Sequence, residues 1–127
     1  MATEQVVQEF SALVCAGQFI AAIERFYASH VAIRENLDPP RLGREAALLR
    51  ERQTLARFST VTAERIGPIL VNGSNVAIHW RFEFTTAEGE RRVLHEVAWQ
   101  VWEDDQIIAE QFFYDVRQLS NVLEPRQ

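Results

Sequence analysis

The strongest constraint on the fold of this chain is a strict alternation of apolar and polar residues over 75–86. The apolar residues fall on the even positions: Val76, Ile78, Trp80, Phe82 and Phe84. Because residues two apart in a β-strand point to the same face of a sheet, this spacing predicts a strand with one buried face. The chain must therefore form a sheet and cover one side of it.

Turn signals on both sides of this strand indicate that neighbouring strands pair with it in a meander. Asn72-Gly73 precedes it, and this dipeptide favours two-residue hairpin turns because both positions tolerate positive φ. Glu88-Gly89 and Asp104-Asp105 mark the two turns that follow. The other strands predicted around these turns cover residues 61–71, 91–102 and 106–115. Together the four strands form an antiparallel meander.

The residues before this meander show helical spacing instead. Apolar residues three and four apart predict a helix from Val6 to Gly17 and a helix over 19–27. Weak alternation predicts a short strand over 31–33, and a run of good helix formers with acid-base pairs predicts a helix over 44–55. Pro39-Pro40 separates the short strand from the last helix, since proline cannot continue either element. Helices followed by a meander predict an α+β domain with its helices on one face of a curved sheet.

Composition fits a single domain over residues 1–127. Hydrophobic residues make up 47% of the chain, which is enough for one core. The 13 cations are outnumbered by 18 acids, and no dense basic stripe exists, so nucleic acid is not an expected partner. No apolar stretch is long enough to span a membrane.

The cysteine content and the first residues of the sequence indicate the cellular compartment to expect. The chain has one cysteine, Cys15, and so forms no internal disulfide. The first five residues lack the basic-then-apolar order of a secretory signal. A cytoplasmic location is therefore expected.

The turn positions predict a register for the last three strands. With Glu88-Gly89 central in its turn, Trp80 lies opposite Val97. With Asp104-Asp105 central in the next turn, Val97 lies opposite Phe112. The apolar faces of the strands then match, and three polar residues interrupt the inner face: His95, Glu110 and Tyr114.

A second register remains open. A β-bulge in either hairpin would shift the pairing by one residue and exchange the two faces of a strand. In that case Glu96 and Gln100 would lie inside the sheet. The sequence does not decide whether His95 or Glu96 faces the core.

The polar residues of the predicted inner face are candidate catalytic groups. Glu110 lies between apolar neighbours, and desolvation would raise its pKa towards the range of a general acid or base. The alternative is a structural ion pair with an arginine such as Arg65. His95 and Tyr114 would lie opposite one another and polarise a carbonyl, although a hydrogen-bonded core histidine is an equally common outcome.

An aromatic wall on the same face is the candidate ligand-binding surface: Trp80, Phe82, Trp99 and Phe112. Such residues usually form core, but they line a ligand cavity where helices leave a curved sheet incompletely filled. The three histidines lack the paired spacing of metal ligands, and no glycine-rich phosphate loop is present. Neither a metal nor a cofactor is expected.

Three stretches carry a family resemblance: Phe26-Tyr27-Ala28-Ser29-His30-Val31, residues 39–45 and residues 106–115. In their order and spacing they resemble the nuclear transport factor 2-like superfamily, which includes SnoaL-like polyketide cyclases and ketosteroid isomerases. The resemblance implies a cone-shaped α+β fold, with N-terminal helices on a curved antiparallel meander. Members of this superfamily include enzymes, binding modules and scaffolds, so the fold alone does not assign a function.

The resemblance also implies positions for catalytic groups. The catalytic carboxylate of the isomerases follows their first short strand, and this position falls on Glu35. Their two hydrogen-bond donors fall on Phe10 and on or next to Val97. Neither side chain can donate, so ketosteroid isomerisation itself is not expected. Relatives commonly form homodimers through the outer face of the sheet, where three apolar residues are predicted: Leu94, Trp102 and Phe113.

Two main functions follow from these residues. In the first, the protein is a cofactor-independent isomerase or cyclase in which Glu35 or Glu110 abstracts a proton from a small apolar carbonyl compound. His95 and Tyr114 would then hold the developing oxyanion. In the second, the protein is a non-catalytic, dimeric module that binds a small apolar ligand. A scaffold with a filled cavity is a third alternative.

Overall fold

The computed structural model describes residues 2–118. Within these residues the α-helices are α1 (Glu4–Cys15), α2 (Phe19–Phe26) and α3 (Arg44–Ala56). The first four strands are β1 (Tyr27–Glu35), β2 (Arg41–Leu42), β3 (Thr60–Arg65) and β4 (Leu70–Asn72). The last three are β5 (Asn75–Thr85), β6 (Arg91–Glu103) and β7 (Gln106–Phe113). A short 3-10 helix, Val116–Gln118, follows β7.

Local sequence signals account for the ends of α1. The hydroxyl of Thr3 accepts a hydrogen bond from the backbone N–H of Val6, so Thr3 caps the helix as serine and threonine commonly do. Gly17 follows the helix with φ of 78°, a conformation that glycine adopts without a steric penalty. The apolar side chains of Val7, Phe10 and Val14 are buried. The helix predicted from Val6 to Gly17 is thus confirmed.

The α+β architecture is confirmed, but the sheet is mixed. Its strand order is β2-β1-β7-β6-β5-β3, and β4 also pairs with β5. Strand β1 is longer than the predicted 31–33 and runs parallel to β7, beside the antiparallel meander. The predicted strand over 61–71 is divided into β3 and β4 around Gly67-Pro68. Proline breaks the strand there because it has no N–H for the ladder.

The hairpin between β5 and β6 has a different loop from the predicted one. Thr86 donates its N–H to the carbonyl of Glu90 at 2.8 Å, which leaves a three-residue loop, 87–89. Gly89 adopts φ of 86°, as expected where such a loop ends in a residue with positive φ. Trp80 consequently pairs with Glu96 and not with Val97.

A bulge in the last hairpin completes the change of register. Asp104-Asp105 form the turn as predicted, since Glu103 pairs with Gln106. The register then shifts between Val101 and Trp102, so that Gln100 lies opposite Glu110. The alternative register, with Glu96 and Gln100 inside, is therefore correct.

The change of register exchanges the two faces of β6. Its inner face carries five buried residues: Leu94, Glu96, Ala98, Gln100 and Trp102. Placing His95 and Trp99 on the inner face was wrong, because both side chains are exposed. Placing Leu94 and Trp102 on the outer face was also wrong, because both side chains are buried, whereas Phe113 is exposed there as predicted.

The helices pack on the inner face of the sheet and form one main core. The ring of Phe10 on α1 lies edge-on to Trp102 on β6, with 5.9 Å between ring centroids. Phe26 at the end of α2 packs against the same indole at 6.0 Å. Ala47 and Leu48 bring α3 into this core. Over residues 2–118, no helix is long and apolar enough to cross a membrane.

Candidate active site

A pocket of about 170 Å³ lies between the helices and the inner face of the sheet. Its volume is similar to the roughly 150 Å³ of an engineered apolar cavity that binds benzene. The aromatic lining consists of Phe10, Phe19, Tyr27, Trp80, Phe82, Phe84 and Phe112. The charged lining consists of Glu35, Arg41, Arg50, Glu51, Glu96 and Glu110. Carboxyl groups in such apolar surroundings favour the neutral form.

Glu110 is buried and held by two hydrogen bonds. The hydroxyl of Tyr27 donates to one carboxyl oxygen, and the Nε2 of Gln100 donates to the other at 2.7 Å. Trp102 fixes the orientation of the Gln100 amide, because its Nε1 donates to the amide oxygen at 2.9 Å. Burial raises the pKa of Glu110 to about 7, although both hydrogen bonds favour the charged form. This group therefore gains or loses a proton near neutral pH.

Tyr27 remains protonated in this arrangement. Burial, and then the charge of Glu110, raise the pKa of its phenol well above the ordinary value. The phenol therefore acts as a donor to Glu110. Its position results from the junction of α2 and β1, where the chain changes from helix to strand at Tyr27.

Glu96 contributes a second buried carboxyl group, on β6. Only 8% of the residue is exposed, and no residue within 2–118 forms a hydrogen bond with its side chain. Burial raises its pKa well above the usual value, and the nearby charges of Glu35 and Glu110 raise it further. The neutral carboxylic acid is therefore favoured, and it has a proton to donate into the pocket.

Glu35 is the acid of the site that forms a salt bridge. Its Oε2 forms a salt bridge with Arg41 at 3.1 Å, and its Oε1 accepts a hydrogen bond from the Tyr114 hydroxyl at 3.0 Å. Burial and the charge of Glu35 raise the pKa of Tyr114, so the phenol stays protonated. Glu35 and Arg41 are partly exposed and Arg50 is exposed, so this side of the pocket meets solvent.

Glu51 reaches the pocket from α3. It follows the buried pair Ala47 and Leu48 by four and three residues, which places it on the core-facing stripe of the helix. Burial raises its pKa, and the neighbouring charge of Arg50 opposes this rise. Among the described residues, none forms a hydrogen bond or salt bridge with the Glu51 carboxylate.

The structure brings most of the predicted site residues together. Five of them line the pocket: Glu35, Trp80, Phe82, Glu110 and Phe112. Tyr114 joins them through its hydrogen bond to Glu35. His95 and Trp99 lie on the opposite face of the sheet. His95 is 3.4 Å from His79, measured from Nδ1 to Nε2, and its backbone is hydrogen-bonded to the Gln118 side chain.

Sequence reasoning missed four polar residues of the site or left them open. Glu96 and Gln100 belonged to the alternative register, and the three-residue loop ending at Gly89 was the signal for it. The helical spacing of α3 would have identified Glu51. Tyr27 is the last residue of the helix predicted over 19–27, and no local signal indicates its hydrogen bond to Glu110. Within residues 2–118, no group of three or more His, Cys, Asp or Glu is arranged as a metal site.

Comparison with known families agrees with this architecture. The profile of the SnoaL-like domain family matches residues 7–110, which is most of the chain. The chain belongs to the SnoaL-like domain family. A comparison with curated proteins finds no match.

Solved structures show the same fold. A protein from Mesorhizobium loti, provisionally named a SnoaL-like polyketide cyclase, is 26% identical with a TM-score of 0.74, over 90% of this chain and 100% of its own. An NTF2-like protein of unknown function from Burkholderia pseudomallei is 12% identical with a TM-score of 0.78, over 95% of this chain and 96% of its own. A third, from Jannaschia sp. CCS1 and also provisionally named a SnoaL-like polyketide cyclase, is 14% identical with a TM-score of 0.78, over 100% of this chain and 99% of its own. The resemblance inferred from the sequence is confirmed.

Proposed function

We propose that this SnoaL-like domain catalyses proton transfer at a carbon next to the carbonyl group of a small, largely apolar compound, as an isomerase or cyclase would. The observation that supports this proposal is a buried Glu110 with a pKa of about 7 in a pocket with a largely aromatic lining. A proton acceptor works best when its pKa lies near the working pH. The step uses only acid and base groups of the protein.

In the proposed reaction, the carboxylate of Glu110 accepts the proton from carbon. The C–H bond breaks, its electron pair forms the C=C bond of an enolate, and the carbonyl oxygen takes up the negative charge. Tyr27 and Gln100 hold the Glu110 carboxylate in one orientation before the transfer. Protonated Glu110 then returns the proton to the same carbon or to another one.

Glu96 supplies the second group that the reaction needs. A developing enolate oxygen is stabilised by a hydrogen-bond donor in a low-dielectric site, and loss of one such donor typically costs about 2.7–4 kcal/mol of transition-state stabilisation. Neutral Glu96 takes the role that the sequence suggested for His95. Two carboxyl groups in different environments thus act as base and acid. Glu35, in its salt bridge with Arg41, is the alternative base on the solvent side.

Deuterium exchange tests this function without knowledge of the natural substrate. Phenylacetone is a suitable probe, because it is small and aromatic and has exchangeable hydrogens next to its carbonyl. We expect the protein to accelerate exchange in D₂O, measured by loss of the proton NMR signal. Glu110→Gln and Glu96→Gln should each reduce this acceleration at least tenfold. Glu64→Gln, at an exposed position on β3, is the matched control.

The same experiment separates catalysis from simple binding. Phenylacetone that binds in the pocket without exchanging its hydrogens would contradict the catalytic proposal and favour a binding module. Exchange that persists in Glu110→Gln but disappears in Glu35→Gln would assign the base to Glu35.

We also propose that two copies of the chain pair through the outer face of the sheet. Four exposed apolar residues form an outer patch on β6 and β7: Val93, Val97, Trp99 and Phe113. Val97 and Phe113 are direct register partners, and Trp99 follows Val97 on the same face of β6, so these three side chains are neighbours. Exposed apolar patches of this kind favour protein–protein contact.

A further inference from the structure

Acidic side chains outnumber basic ones among the residues that line the pocket. Four carboxyl groups line it, together with the two guanidinium groups of Arg41 and Arg50. Arg41 is engaged by Glu35, and Arg50 is exposed. The rest of the pocket contains three carboxyl groups and aromatic rings, and Arg41, the partly buried cation of the lining, is already paired with Glu35.

Glu51 is the least expected of these acids. Along α3, the side chains on its core-facing stripe are Ala47, Leu48, Thr54 and Leu55. An apolar residue at position 51 would complete this stripe at no desolvation cost, whereas a carboxylate loses solvation there. No described residue compensates for this loss with a hydrogen bond or a salt bridge.

Glu96 provides independent support for a ligand that carries polar groups. It is more than nine-tenths buried, lines the same pocket from the opposite wall, and has no hydrogen-bond partner within residues 2–118. Buried polar groups in folded proteins are normally satisfied, so a largely buried carboxyl group that faces a pocket without a protein partner can accept a polar group of a ligand. Each of Glu51 and Glu110 also raises the electrostatic cost of ionising Glu96. A positive charge placed among these groups would lower that cost.

We propose that the small carbonyl compound of this site also carries a protonated amine, and that Glu51 is the residue that binds this amine. The ammonium group donates hydrogen bonds to the Glu51 carboxylate. The apolar remainder contacts the aromatic lining of the pocket, which includes Trp80 and Phe82. This inference rests on the proposed function in taking the pocket as the substrate site.

Three probes of similar size and different charge test the inference. At pH 7 benzylamine is a cation, benzyl alcohol is neutral and benzoate is an anion. Calorimetric titration, or NMR titration for the weaker ligands, gives their affinities. We expect benzylamine to bind at least about tenfold more tightly than benzyl alcohol, because a hydrogen bond between charged groups is worth more than a neutral one. Equal affinities, or a preference for benzoate, would overturn the inference.

Two variants of α3 localise the effect. Glu51→Gln should bring the affinity for benzylamine down to that for benzyl alcohol, with benzyl alcohol binding unchanged. Glu45→Gln is the matched control, because Glu45 is an exposed acid on the same helix. It should retain the full preference. If Glu51→Gln keeps that preference, the amine does not bind at Glu51. The comparison of probes on the native protein stands even if the variant folds poorly.

The exchange experiment and the binding experiment test the two proposals independently. A protein that prefers benzylamine but does not exchange the hydrogens of phenylacetone contradicts the proposed function and supports the amine site. A protein that exchanges those hydrogens but binds the charged and neutral probes equally contradicts only the amine site.

Discussion

The inner and outer faces of β6 differ in what they bury and what they expose. The inner face places the polar residues Glu96 and Gln100 among buried side chains. The outer face exposes Val93, Val97 and Trp99, with Trp99 47% exposed. On an ordinary half-buried strand, apolar residues lie inside and polar residues outside.

This contrast suggests that both faces of the strand serve contacts beyond the core. The polar groups inside surround or support a pocket, where Gln100 holds Glu110 and Glu96 lies without a partner. The apolar groups outside form the patch proposed to meet a second copy. A strand that violates the usual pattern on both faces is therefore a better guide to function than one that follows it.

The largest expected difference between the faces is in stability. Trp102→Ala removes a buried indole that packs against two helices and orients Gln100, and it should lower the free energy of unfolding by about 3–5 kcal/mol. Trp99→Ala removes a half-exposed indole from the outer face and should cost the monomer less than about 1 kcal/mol. Urea denaturation measures both values. Similar losses for the two variants would mean that the outer face is buried in solution.

The second prediction concerns the pH dependence of the inner face. Folding raises the pKa of Glu110 from 4.5 to about 7, so the folded chain binds a proton that the unfolded chain releases. The resulting stabilisation is complete below about pH 4.5 and is lost as the pH rises through about 7. Between these limits the free energy of unfolding should fall by about 3 kcal/mol on account of this group. Denaturation curves over this range measure the fall.

Paired variants isolate the contribution of Glu110. Glu110→Gln cannot titrate and should flatten the pH dependence, whereas Glu64→Gln on the exposed side of β3 should preserve it. A native protein that gains stability relative to Glu110→Gln as the pH rises would show that the pKa of Glu110 is not raised.

The third prediction tests the outer face as an interface. Trp99→Arg places a charge in the outer patch and should weaken self-association by about 2 kcal/mol or more, as expected for a large aromatic residue at an interface. Sedimentation equilibrium at several concentrations measures the change, and circular dichroism checks that the fold is intact. A native protein that is monomeric at all concentrations would refute pairing through this face.

The smallest expected effect is at His95. Its side chain is exposed beside His79 on the outer face, so His95→Ala should change stability by less than about 0.5 kcal/mol. It should also leave phenylacetone exchange within about twofold of the native rate, in contrast to Glu96→Gln at the adjacent position. A loss of exchange in His95→Ala would restore the histidine to the catalytic site.

Much of the fold could be predicted because its signals are local. Alternation over 75–86, the turn at Asp104-Asp105 and the stop at Gly17 are each set by a few neighbouring residues. The parallel pairing of β1 with β7 could not be predicted in this way. It joins segments far apart in the chain, and the sequence of β1 alone does not specify its partner.

The candidate site was predictable in part for the same reason. Glu35 and Glu110 were identified from a family position and from an apolar strand context. His95 was misplaced because a one-residue change in the hairpin loop moves every side chain of β6 to the other face. The apolar residues Val97 and Trp99 then made the incorrect register seem well matched.

The amino-acid sequence by itself determined the helices, the meander and an apolar wall with acidic interruptions, because periodicity and turn chemistry act over a few residues. Only the tertiary structure decided which acids meet. Glu51, Glu96 and Glu110 come from a helix and two strands, and their shared pocket depends on the loop at Gly89 and the bulge near Trp102. Burial then sets their protonation, since desolvation depends on everything packed around a carboxyl group and not on its neighbours in the chain.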